Sequence, residues 1–87
     1  MNLERTMKQG QLKEAEDDAK ALAIKIAGLK QEMRLYLAQH ADPASLDSER
    51  LKQLSEDLYR AHQDYTARLH LSTELRNDLG LPRYEPR

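Results

Sequence analysis

Residues 12–40, LKEAEDDAKALAIKIAGLKQEMRLYLAQH, decide the fold. Within them Leu12, Ala15, Ala19, Leu22, Ile26, Leu29, Met33, Tyr36 and His40 recur at alternating spacings of three and four. That is a heptad seam, the pattern of a long helix laid against another helix. The partner is in the same chain, because Leu51, Leu54, Leu58, Ala61, Tyr65, Leu75 and Leu79 keep the same beat after a short break. The sequence therefore reads as all-α, an antiparallel two-helix hairpin of coiled-coil type. Helix 1 is expected over about 11–41, a turn over about 42–46 and helix 2 over about 47–79.

A chain of 87 residues is one domain at most. At that length about 60 to 65% of the unfolded surface is buried on folding, so the core is marginal. There is no cysteine to staple it, which fits a reducing compartment and leaves oligomerisation as the remedy. A third of the residues are charged, with a net charge of −1, so nothing draws the whole molecule to nucleic acid or membrane. No run approaches the ~18 apolar residues of a membrane span, and the first residues, MNLERTMKQGQLKEAEDD, lack a signal-type apolar core. A soluble, cytoplasmic protein without a membrane partner is expected.

Residues 1–10 read as a frayed or separately docked turn. Leu3 and Met7 are out of phase with the seam, and Gly10 costs about 1 kcal/mol in a helix interior, although Asn2 is a candidate cap. At the break, either Asp47 caps helix 2 with Leu46 stapled on Leu51, or Asp42 caps and Pro43 takes the first helical position. Gly80 followed by Leu81 and Pro82 is a stop signal. Residues 80–87 then form an extended or disordered tail, with Tyr84 level with Met7 if it doubles back.

Matching the two seams suggests a register in which facing residue numbers add to about 91. His40 then meets Leu51, Met33 meets Leu58, Ala19 meets Ser72 and Leu12 meets Leu79. Glu16 falls near Arg76, whereas Glu32 near Asp57 is unfavourable. Arg68 takes a seam position opposite Leu22, where it is expected to snorkel outwards while Leu69 fills its place.

Helix 1 has more apolar surface than one partner covers. Ala21, Ile24, Gly28, Leu35 and Ala38 form a second stripe, Ala23, Ala27 and Leu37 widen the seam, and helix 2 adds Leu69 and Leu71. A stripe with small residues at its centre suggests another helix lying close. The expected assembly is a homodimeric four-helix bundle, with another helical protein as the other fit. Ile24, Leu35, Leu37, Leu69 and Leu71 are the candidate interface residues, with Leu22, Ile26, Met33, Leu58 and Tyr65 in the hairpin core.

No residue set stands out for catalysis, a cofactor or a metal. His40, His62 and His70 lack metal-ligand spacing, although His70 and Glu74 are four apart. Ser45, Ser48, Ser55 and Ser72 lie in no nucleophile elbow, no Gly-rich loop is present, and two packed rods offer no pocket for a small-molecule substrate. The segment Leu54-Ser55-Glu56-Asp57-Leu58-Tyr59 resembles, in phase only, the Ser-Gln-Glu-Leu-Asp motif of the helical-hairpin aspartyl-phosphate phosphatases of sporulation control. Tyr59 stands where that motif ends in an acid, so the residue its activity needs is absent and no family follows.

The functional expectation is a non-enzymatic interaction module, acting as a scaffold, adaptor or small co-chaperone. The alternative is a dimeric RNA-binding regulator, since the architecture resembles the small plasmid-copy-number RNA-binding bundles. Lys13, Lys20 and Arg34 share one heptad position for such a face, and Arg60, Arg68 and Arg76 recur every eight residues. Interleaved acids and a pI near 6.3 make nucleic acid the less favoured partner.

Overall fold

Good helix formers without an internal proline propagate one helix from Leu3 to Gln39 (α1) and a second from Ser48 to Leu79 (α2). The computed structural model describes residues 3–83. Asn2 and Tyr84, for which a cap and a fold-back contact are expected, lie outside them. The two helices pack side by side as an antiparallel hairpin measuring 65 × 22 × 14 Å.

α1 starts eight residues before the sequence boundary, so the described part of residues 1–10 is helix and not a separate turn. The helix runs through Gly10, and the turns before it are tied to the end of α2. Lys8 Nζ lies 3.5 Å from both Glu4 and Asp78, and Arg5 donates to the Leu79 carbonyl at 3.3 Å. That carbonyl belongs to the last turn of α2, which has no helical partner for it.

Both cap alternatives at the break are used, at successive turns. Asp42 accepts from the Ala44 N–H and caps a 3-10 turn, Pro43–Ser45, with Pro43 at its first position. Asp47 then caps α2, accepting from Glu49 and Arg50. At the far end Gly80 takes φ 71°, ψ 26°, a left-handed conformation that costs a Cβ-bearing residue more. Its N–H reaches the Asn77 carbonyl at 3.2 Å and that of Leu81 reaches Arg76 at 2.8 Å, the paired bonds of a Schellman stop.

At the open end the expected neighbours Leu12–Leu79 and Glu16–Arg76 are observed, and towards the hinge the register runs about one helical turn or more from the matched seams. Leu12 clusters with Leu75 as well as Leu79, which places Ala15 and Ser72 together in the next layer. Glu32 pairs with Arg50 rather than approaching Asp57, and Tyr36 reaches the main chain of Asp47. The Arg68 guanidinium lies 3.6 Å from Asp18, beside the open groove that Leu22 also lines. Arg68 is exposed and Leu69 half-buried, in line with the outward course expected.

Burial is concentrated towards the ends and at small residues. The buried positions are Leu12, Ala15, Ala19, Tyr36, Leu54, Ala61, Ser72, Leu75 and Leu79. Leu22, Ile26, Met33, Leu58 and Tyr65, expected in the core, are only half-buried. One neighbouring helix covers a large side chain from one side, so the middle of the rod is left without a second layer.

Candidate interaction surface

In an antiparallel pair, heptad positions e of the two helices border each other on one side of the seam and positions g on the other. The hairpin therefore has two broad faces. On the g face, Asp18, Ala21, Leu22, Asp64, Ala67, Arg68 and Leu71 line an open groove of about 580 Å³ between the helices. A shallower recess further along holds Lys25, Leu29, Asp57 and Arg60. Acids and cations alternate here, and the ion pairs Asp18–Arg68 and Glu32–Arg50 cross the seam.

The e face is built around a different contact. The Arg76 guanidinium donates to both Glu16 oxygens, at 2.8 to 3.1 Å, and Ser72 Oγ donates to the same carboxylate at 3.3 Å. Arg76 also holds the Pro82 carbonyl at 2.9 Å, tying the residues just after the Gly80 stop to α2. Ser72 is fully buried while the Glu16 and Arg76 side chains keep 13% and 21% of their surface. A fork of this geometry in a sheltered place is worth more than an exposed pair.

The five sequence-predicted interface residues do not form one patch. Leu35 and Leu71 lie on the g face, Leu37 and Leu69 on the e face, and Ile24 on the outer edge of α1. Ile24, Leu35 and Leu37 are 76%, 51% and 46% exposed, whereas Leu69 and Leu71 are half-buried. The arginine line divides too, because a repeat of eight walks across a seam of seven. Arg60 and Arg68 stand on the g side and Arg76 on the e side. Lys13, Lys20 and Arg34 are exposed together along the edge of the e face.

Two features escaped the sequence reading. Tyr36 is buried against the hinge, its hydroxyl accepting from the Asp47 N–H at 2.7 Å and donating to the Asp47 carbonyl at 3.0 Å. Its ring centroid lies 4.6 Å from that of His40. Lys30 and Lys52, exposed like Lys13, add to the same e face. Their placement was available from heptad lettering alone, since the e and g sides do not depend on register.

His70 and Glu74 stand 3.4 Å apart at the surface. Among the described residues no group of three or more His, Asp or Glu side chains is placed to hold a metal ion, and no helix is long and apolar enough to cross a membrane. No family model, curated protein or solved structure matches the chain.

Proposed function

We propose that the chain is a non-enzymatic helical-hairpin interaction module that self-associates. A second copy packs on the g face to complete a four-helix bundle, which serves as a scaffold or adaptor for helical partners. The observation that carries this reading is the surplus of surface. The hairpin exposes 6696 Å², where a compact protein of 10.1 kDa exposes about 5300 Å². The excess of roughly 1400 Å² exceeds the ~800 Å² that each partner buries in a standard interface.

Charge selects the face. A twofold dimer sets a surface against its own copy, so the e face would oppose lysine to lysine. The g face offers both signs for interleaving. It also has the small residues Ala21, Gly28 and Ala67, which allow close approach, and the half-buried Leu22 and Leu29 beneath them.

The test is molar mass by light scattering after size exclusion. Ala21→Glu with Leu35→Glu, both at exposed positions, should convert a dimer to a helical monomer, while Leu37→Glu on the other face leaves the mass unchanged. An unaltered mass in the double variant would sink the assignment of the face.

A further inference from the structure

The net charge of −1 conceals a division of charge between the two broad faces. Positions b and e of both helices carry Lys13, Lys20, Lys30, Arg34 and Lys52, all exposed. Among the described residues none of the five forms an ion pair. The one described acid at these positions, Glu16, is held by the Arg76 fork. The opposite face sets eight acids, Glu4, Glu14, Asp18, Glu32, Asp57, Asp64, Glu74 and Asp78, against the three cations Lys25, Arg50 and Arg60 at its c and g positions.

We infer that the e face docks on the phosphate backbone of double-stranded RNA. The faces are separated by the 14 Å thickness of the hairpin, more than the Debye length of about 8 Å in physiological salt. A polyanion against the e face is therefore screened from the acids behind it. The row from Lys13 to Arg34 runs about 32 Å along a rigid helix, at a heptad step of roughly 10.5 Å. Lys30 lies beside that row, and Lys52 sits across the seam at the hinge end.

The shape favours a duplex over a single strand. Strand-tracking surfaces stack successive bases on aromatic rings, and this face has one exposed tyrosine, Tyr59. It favours A-form over B-form as well. The hairpin is 22 Å wide, too broad for the ~12 Å major groove of B-DNA. The wide, shallow minor groove of an RNA helix presents phosphates and 2′-hydroxyls to a flat surface. A dimer joined through the g face keeps both e faces outward, and a monomer keeps its one, so the inference does not depend on self-association.

The experiment is fluorescence anisotropy of a labelled RNA duplex of about 20 base pairs, titrated with the full chain between about 50 and 200 mM salt. Engaging all five cations gives a log–log slope of about −4.5, so affinity falls roughly 500-fold over that range. Lys13→Ala with Lys20→Ala should weaken binding at least about tenfold and flatten the slope by nearly 2. Lys25→Ala with Arg60→Ala, an equal loss of charge on the other face, should leave affinity within about twofold. The inference is overturned by any of four results: no binding at the lowest salt, equal losses in the two variants, tighter binding to a DNA duplex of the same sequence, or a shift in molar mass in the Lys13/Lys20 variant. The last would mean that the acidic face of another copy is the occupant.

Discussion

Tyr36→Ala should lower hairpin stability by about 3 to 5 kcal/mol, the largest loss expected from a single truncation in this chain. The tyrosine is 9% exposed, and its ring fills the space where α1 meets the hinge. Its hydroxyl also bonds both main-chain groups of Asp47, the residue that caps α2. One side chain thus holds the end of the first helix to the start of the second. Tyr36→Phe divides the effect, since it keeps the ring and frees the two Asp47 groups. Asp47 remains accessible to water, so the hydroxyl alone is worth about 1 to 2 kcal/mol. Thermal unfolding followed by circular dichroism gives both values, and amide exchange at Asp47 should quicken in the Phe variant. A Phe variant indistinguishable from the parent in both measurements would remove the clamp from this account.

The second large effect is at Leu54, 1% exposed and one of the two largest fully buried side chains. Leu54→Ala should cost about 2 to 5 kcal/mol, a fall in melting temperature on the order of 10 °C or more in a domain of this size. Leu58→Ala, one turn further along the seam but half-buried, should cost clearly less. Equal losses at the two positions would mean that the middle of the rod is covered as well as its ends.

The helices and their stops were legible because each rests on local chemistry. The seam from Leu12 to His40, the acids at Asp42 and Asp47, and the Gly80-Leu81-Pro82 stop each report a local backbone preference. Register was not legible, because a seam alternating threes and fours maps onto itself after every step of three or four residues. Closure of the hinge by Tyr36 and Asp47 chooses among those matches. The unfavourable approach of Glu32 to Asp57 was a clue, since the observed pairing gives Glu32 to Arg50. The start of α1 is not legible in the sequence, because Gly10 disfavours helix locally while the contacts of Arg5 and Lys8 that accompany it reach the distant last turn of α2. The candidate interface was partly misgrouped for a reason visible in spacing. Leu35 and Leu37, like Leu69 and Leu71, are two residues apart, and residues so spaced on a helix do not face the same way.

The middle of the hairpin lacks a second layer, and everything proposed about its assembly follows from that. The most direct test is the molar mass of the unmodified protein by light scattering, at low and at high salt. A dimer, twice the 10.1 kDa of the chain, that persists at high salt is the result expected if the g face is closed by apolar packing. A monomer at every salt concentration would contradict it.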